Sequence, residues 1–149
     1  LYTKGYSMEI DKYPIPTSAN VTAVMKGNKR SDTRPEKSLR SMLHRRGLRF
    51  RKDYPILFKE GGRCRPDIVF TRRKLAIFVD GCFWHLCPDH GRVPKQNTDY
   101  WEPKLIATRE RDLKDCARLT RDGWKCLRIW EHVPLDDAVR IVLANLDSA

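Results

Sequence analysis

The chain is poor in acidic residues, in long apolar runs and in pairable cysteines. None of its apolar runs approaches the roughly 18 residues that a membrane-spanning helix needs, and no charged-then-apolar signal opens it. Both absences point to a soluble, cytoplasmic protein. Asp and Glu number 19 against 30 Lys and Arg, giving a formal net charge of +11 and a pI near 9.7. Such a surface attracts polyanions, of which nucleic acid is the commonest; an acidic membrane surface is the rival. Five cysteines cannot all pair. Without a secretory signal, an odd count favours reduced thiols and a metal site over a disulfide framework. No internal repeat is visible. The 149 residues suit one domain that buries roughly 68–70% of its unfolded surface without a staple.

Residues 1–24, rich in Tyr, Pro, Ser and Thr and without a sustained period, read as an amino-terminal arm or an expression remnant, and 25–149 as the folded unit. Thr33-Arg34-Pro35-Glu36 matches a capping box, in which the Thr hydroxyl and the Glu three residues on satisfy free amide groups. Leu39, Met42 and Leu43 then share one helical face, and Gly47 is placed to end the helix. Leu48, Phe50 and the turn at Tyr54-Pro55 suggest a first strand, and a Gly61-Gly62 turn leads to strands near 67–71 and 75–80. Asp99 to Asp122 has the pattern of an amphipathic helix capped by Gly123. Residues 124–130 alternate as a strand, with Cys126 among its core positions, and Leu135 to Leu146 form a closing helix. Strands and helices interleave, which makes the class α/β with a mixed central sheet and helices on its faces.

The chemistry concentrates in Asp80-Gly81-Cys82-Phe83-Trp84-His85-Leu86-Cys87-Pro88-Asp89-His90, directly after the apolar strand Leu75–Val79. Cys82, Cys87 and His90, with His132 just past the strand 124–130, are soft or borderline ligands suited to a closed tetrahedral zinc site. Such a clamp would tie the loop to a distant strand end. Otherwise Cys82 is a small buried apolar residue and the two histidines are solvated. Asp67 opens one strand and Asp80 closes the next, so both carboxylates and the carbonyl of Val79 can meet at one point. Hard oxygen donors of that kind suit Mg²⁺ with room left for water and phosphate, and His85 could take a proton from an attacking water. The plainer alternative has Asp67 capping a turn and His85 in the core, as Glu36 has its capping role. These observations reach a metal-dependent phosphodiesterase acting on nucleic acid.

Arg65-Pro66-Asp67-Ile68-Val69-Phe70, Ile77 through His85, Tyr100-Trp101-Glu102-Pro103-Lys104, Arg109-Glu110-Arg111-Asp112 and Gly123-Trp124 with Trp130-Glu131-His132 resemble the very short patch repair (Vsr) endonuclease family. The resemblance runs from about Met25 to the carboxyl end, and Gly-Cys-Phe-Trp-His is its most specific string. It implies a restriction-endonuclease-like fold with a three-layer core, and a magnesium-dependent monomer that nicks duplex DNA on the 5′ side of the thymine in a T:G mismatch. It also implies a bacterial, nucleoid-associated setting and a link to a cytosine-5 DNA methyltransferase and mismatch-repair factors. Carried over by position, Asp67 resembles the central magnesium ligand, the main-chain oxygen of Val79 its companion, and His85 the general base. Glu36 resembles an acid acting through the ion's hydration shell. Phe83, Trp84 and Trp101 resemble aromatics that wedge beside the mismatch, and Lys104 a residue close to it. Two departures stand out. Cys82 occupies the place of the superfamily's lysine, so His85 takes over that role; and Asp80 replaces a histidine, offering magnesium a second carboxylate. A nuclease of altered specificity in restriction or defence, and a zinc-stabilised DNA-binding module without turnover, are the competing readings.

Overall fold

The computed structural model describes residues 32–148, so the arm expected at 1–24 lies outside the described residues. Within them the order is α1 (Arg34–Arg45), β1 (Arg51–Lys52), β2 (Ile56–Leu57), β3 (Arg63–Cys64), β4 (Ile68–Phe70), β5 (Leu75–Asp80), α2 (Thr98–Arg121), β6 (Lys125–Trp130) and α3 (Leu135–Asp147). The main sheet runs β1-β4-β5-β6, antiparallel except for the parallel β5–β6 pair, and β2–β3 form a separate hairpin. The expected mixed α/β architecture is therefore present. No described helix is long and apolar enough to cross a membrane.

Alternation along the strands builds the layers. Ile68, Phe70, Leu75, Ile77 and Ile129 point to one face and pack with Leu39, Leu43, Val139 and Val142 from α1 and α3. Val69 and Ala76 point to the other, where Leu119 of α2 and Ile56, Phe58 and Cys64 of the hairpin cover them. A sheet clothed on both sides explains why β5, Leu-Ala-Ile-Phe-Val-Asp, reads as an almost unbroken apolar run.

Both glycine stops work as the sequence implies. After α1, Gly47 (φ +79°) donates to His44 and Leu48 to Leu43; after α2, Gly123 (φ +86°) donates to Thr120 and Trp124 to Leu119. Both are Schellman ends, in which a left-handed glycine turns the chain back onto the last helical carbonyls. Elsewhere the expectations change. The strand expected from Leu48 onward shrinks to Arg51–Lys52 because Asp53 takes a left-handed conformation (φ 47°) and turns the chain. The capping box does not form: the Thr33 side chain makes no cap bond, and Glu36 points inward, 3% exposed, with Arg40 Nη1 at 3.6 Å. The thiols outside the Cys/His cluster are not all reduced either. Cys126 faces α2 and is bonded to Cys116, with Cα atoms 5.4 Å apart, linking β6 to the helix above it.

Ile77 is fully buried at the centre of the sheet. Ile77→Ala is expected to reduce unfolding free energy by about 2–5 kcal/mol through lost transfer energy and the cavity left behind. Chemical denaturation measures this, and a loss below about 1 kcal/mol would mean that the site collapses around the truncation.

Candidate active site and metal clusters

One register delivers the chemistry. Asp80, the last residue of β5, pairs with Trp130, the last of β6, and two residues beyond each lie Cys82 and His132. The Cys82 amide donates to Glu131 Oε1 at 2.9 Å, fastening the loop to the end of β6. The ligand atoms of Cys82, Cys87, His90 and His132 all lie within 4.8 Å of one another. Bonds of roughly 2.3 Å to sulfur and 2.0–2.1 Å to nitrogen give a tetrahedron with nitrogen–nitrogen edges of about 3.3 Å and sulfur–nitrogen edges of about 3.6 Å. The two Nδ1 atoms are 3.3 Å apart, Cys87 Sγ lies 3.6 and 3.8 Å from the His132 and His90 nitrogens, and Cys82 Sγ lies 3.2 and 4.0 Å from the same two. The donor set and edge lengths fit a tetrahedral ion. Gly91 closes the loop against Cys87, where a Cβ would meet the Cys87 amide nitrogen at 2.4 Å.

Beside this cluster lies an acidic pocket in two halves. In the first, Asp67 Oδ2 accepts from the Val79 amide at 2.7 Å. Burial pushes the Asp67 carboxyl up to about 7; the Val79 bond opposes that rise, and the negative charges of Glu36, Asp80 and Asp53 add to it. Glu36 Oε2 is buried without a hydrogen-bond partner. Among the described residues no Lys or Arg pairs with Asp67. A hard cation suits this half, since Glu36 Oε2 makes no hydrogen bond and meets only Arg40 Nη1 at 3.6 Å, and Asp67 has no Lys or Arg partner among the described residues.

The second half is already compensated. His85 Nδ1 bonds an oxygen of Asp112, a buried residue of α2, and His85 Nε2 faces Asp80 Oδ1 at 3.8 Å. Arg128 Nη1 donates to both oxygens of Asp80, at 2.8 and 2.9 Å, and its Nη2 lies 3.3 Å from Asp112 Oδ1. For Asp112, burial raises the carboxyl, but the His85 bond and the Arg128 charge outweigh it and hold the group below the ordinary carboxylate range. With Nδ1 committed to a carboxylate, a neutral His85 ring keeps its lone pair on Nε2.

The aromatics form a third group. Phe83 contacts Trp84 and Trp101 at centroid distances of 5.0 and 5.4 Å, and Trp84 lies 5.9 Å from Trp101. Trp101 is buried beneath the two partly exposed rings. Lys104 Nζ lies 5.8, 5.2 and 5.7 Å from the rings of Trp84, Tyr100 and Trp101, and it donates to Tyr100 Oη at 3.0 Å.

Comparison with known proteins gives the family. The model of the family described as DNA mismatch endonuclease Vsr matches residues 11–89, more than half the chain and reaching into the segment first read as an arm. The chain belongs to the Vsr family. It is similar to the type II nicking enzyme V.NaeI of Lentzea aerocolonigenes, 51% identical over 90% of this chain and 81% of the relative. It also resembles the type II nicking enzyme V.XorIIP of Xanthomonas oryzae, 45% identical over 67% of this chain and 71% of the relative. The DNA mismatch endonuclease Vsr of Escherichia coli is 38% identical over 67% of this chain and 62% of its own length. With its family, this chain is a DNA endonuclease, and nucleases of the Vsr type are generally divalent-metal dependent.

Asp112 and Arg128 received no role from the sequence, although each left a signal in the Vsr chain. Trp101, Leu105, Asp112 and Leu119 are the buried residues of α2, so Asp112 occupies an apolar slot of an amphipathic helix. Arg128 sits between Cys126 and Trp130 on an alternating strand, an inward cation that demands a buried partner.

The raised Asp67 carboxyl has a measurable consequence. An unfolded chain holds it near 3.8, so from there to about 7 the folded state binds more protons and loses stability as pH rises. In magnesium-free buffer, Asp67→Asn should remove this slope, gaining on the native protein by on the order of 1 kcal/mol per pH unit through that window. Parallel melting profiles for the two proteins between about pH 4 and about pH 7 would contradict the assignment.

Proposed function

We propose that this protein nicks one strand of duplex DNA on the 5′ side of the thymine in a T:G mismatch, as a monomer, with one divalent cation, Mg²⁺, at Asp67. The carrying observation is the juxtaposition of Asp67, which has no Lys or Arg partner among the described residues, the His85–Asp112 dyad and an aromatic cluster around the end of β5 and the loop beyond it. Asp67 and the main-chain oxygen of Val79 would hold the cation, with Glu36 reaching it through water. When bound, a divalent ion polarises a phosphoryl oxygen and stabilises the leaving alkoxide.

The chain's own residues do the rest. His85, oriented by Asp112, accepts at Nε2 the proton of the attacking water. The phosphodiester bond breaks as the water oxygen bonds to phosphorus. Phe83 and Trp84 present their rings to the base stack with Trp101 supporting them from below, and Lys104 brings a positive charge to the same spot. Inserting apolar rings costs a few kcal/mol of unstacking, offset by the contacts that a bent duplex makes. Lys and Arg elsewhere supply phosphate contacts that carry no sequence information.

A zinc ion in the Cys82, Cys87, His90 and His132 cluster would hold the loop that carries His85 and both outer aromatics. Burial raises the Cys82 thiol to about 11, and binding as thiolate reverses that, so zinc uptake releases protons and contributes folding energy. A second reading is favoured by the relatives named type II nicking enzymes: this chain serves beside a restriction–modification system, which supplies the methylated cytosines whose deamination makes the mismatch. That reading changes the flanking sequence and leaves the chemistry as it is.

Labelled duplexes with and without a T:G pair test the proposal. Nicking in Mg²⁺ should be confined to the thymine strand of the mismatched duplex. Asp67→Ala should bind DNA normally and lose cleavage by at least about a hundredfold. Equal nicking of matched and mismatched duplexes would sink the mismatch assignment, and undiminished cleavage by Asp67→Ala would sink the cation assignment.

Stripping zinc with a strong chelator should lower the melting temperature and expose residues 81–97 to proteolysis. Identical melting and digestion with and without chelator would rule out a structural ion.

A further inference from the structure

Three potential metal ligands outside the Asp67 cradle converge in the same pocket. The ligand atoms of Asp80, His85 and Asp112 all lie within 4.8 Å of one another, and both acids are buried. Two anions and an imidazole in such proximity ordinarily invite a divalent ion. Here a side chain of the protein stands among them.

Register explains how it arrives. Arg128 is aligned with Phe78, one inward position short of Asp80, and both residues face α2. Its guanidinium spans the gap. Nη1 takes both oxygens of Asp80, Nη2 reaches Asp112 Oδ1, the carbon lies 4.2 Å from the centroid of the Phe78 ring, and Nε contacts Cys116 Sγ at 3.4 Å. Cys116 is itself bonded to Cys126, two residues before Arg128 on the same strand. Most of the fork is engaged, and a planar, permanently charged group held this way cannot yield its place by losing a proton. A divalent ion entering here would meet Asp80 with both oxygens already donated to, and a fixed positive charge among its would-be ligands.

We propose that the Arg128 guanidinium takes the place of a second divalent cation between Asp80, His85 and Asp112. Arg128 and Asp80 are then positioning residues. The proposal rests on the reading in which Asp67 holds the first cation. It also separates the two halves of the pocket: Asp67, which no Lys or Arg pairs with among the described residues, is left for the ion, and the half that Arg128 compensates holds the base. Arg128 is two bonds of influence from the chemistry, acting on His85 through Asp112 and on the mouth of the pocket through Asp80.

The test is a Mn²⁺ titration of the zinc-loaded protein without DNA, followed by calorimetry and electron paramagnetic resonance. Arg128→Met, which keeps an apolar stem and removes the guanidinium, should bind one more equivalent of Mn²⁺ than the native protein. Asp80→Asn combined with Arg128→Met should lose that extra equivalent. Asp80→Asn alone should leave the native equivalent in place, and Asp67→Asn should remove it. Arg128→Lys, which keeps the charge, should stay at the native count. Nicking by Arg128→Met should fall by about 10- to 100-fold in kcat with little change in KM for DNA, a split that a loss of folded protein would not produce with active-site titration as the reference. The proposal is overturned if Arg128→Met gains no equivalent, or if Asp80→Asn removes the native one. Should Arg128→Met fail to fold, Asp80→Asn and Arg128→Lys decide by the same counts. A native protein that nicks no duplex while these counts hold would overturn the nuclease mechanism and leave the role of Arg128 standing.

Discussion

The parallel pairing of β5 with β6 is the constraint on which the site depends. Its register runs from Leu75 opposite Lys125 to Asp80 opposite Trp130. Continued past the last pair, the same register brings Cys82 to His132, whose sulfur and nitrogen lie 3.2 Å apart. Stepped back, it sets Arg128 beside Phe78 and within reach of Asp80. A slip of one residue would send Arg128 into the apolar layer under α1 and α3 and part the two metal ligands. The fully buried residues Leu75, Ala76 and Ile77 prevent that slip, because any other register would face their apolar side chains with the wrong partners. Core packing and active-site geometry are therefore one problem in this fold, solved by a single six-residue strand.

Charge is distributed with the same economy. The chain carries an excess of eleven positive charges, yet it gathers Asp67, Glu36, Asp80 and Asp112 within one pocket. Part of that negative charge is neutralised internally, by Arg128 at Asp80 and Asp112 and by Arg40 at Glu36, while Asp67 has no Lys or Arg partner among the described residues. Burial first, and then the charges of Glu36, Asp80 and Asp53, push the Asp67 carboxyl up, so its charged form is unfavourable in the free protein. A site that binds a cation and then a phosphate needs this imbalance: complete neutralisation by side chains would leave nothing for the ion to correct. The basic exterior draws DNA in, and the acidic interior brings the ion to meet it.

How far the sequence could be read follows from the range of each interaction. Helix ends were legible at Gly47 and Gly123 because a Schellman stop is a local pattern. The Cys/His cluster was legible because three of its four ligands fall within nine residues, 82–90. The capping box was a local pattern that failed: tertiary packing of the first turn of α1 turns the Glu36 carboxylate inward toward Asp67, a placement that only the family resemblance suggested. Asp112 and Arg128 lie 27 and 43 residues beyond His85, and nothing local says that a helix acid bonds this histidine while a strand cation pairs with the same acid. The bond between Cys116 and Cys126 belongs to the same class. An odd cysteine count argued for thiols, whereas the strand's alternation, which puts Cys126 under α2, is what decides the pairing.

The segment between β5 and α2 contains no helix or strand over residues 81–97, yet it carries His85, the proposed general base, and two of the aromatics. A free loop of that length would have to be ordered on meeting DNA, at roughly 1–2 kcal/mol per residue, and wedging rings into a base stack adds further cost. The structure meets most of that ordering in advance. Glu131 holds the Cys82 amide, Gly91 folds back on Cys87, four metal-type ligands close on one another, and Trp101 backs Phe83 and Trp84 from the first turn of α2. These ties reach the end of β6 through Glu131 and His132 and α2 through Trp101, while Gly91 and Cys87 close the loop on itself. Binding energy from the phosphate contacts is then left for deforming the duplex rather than for arranging the protein, as the proposed reading of a mispaired step by its deformability requires.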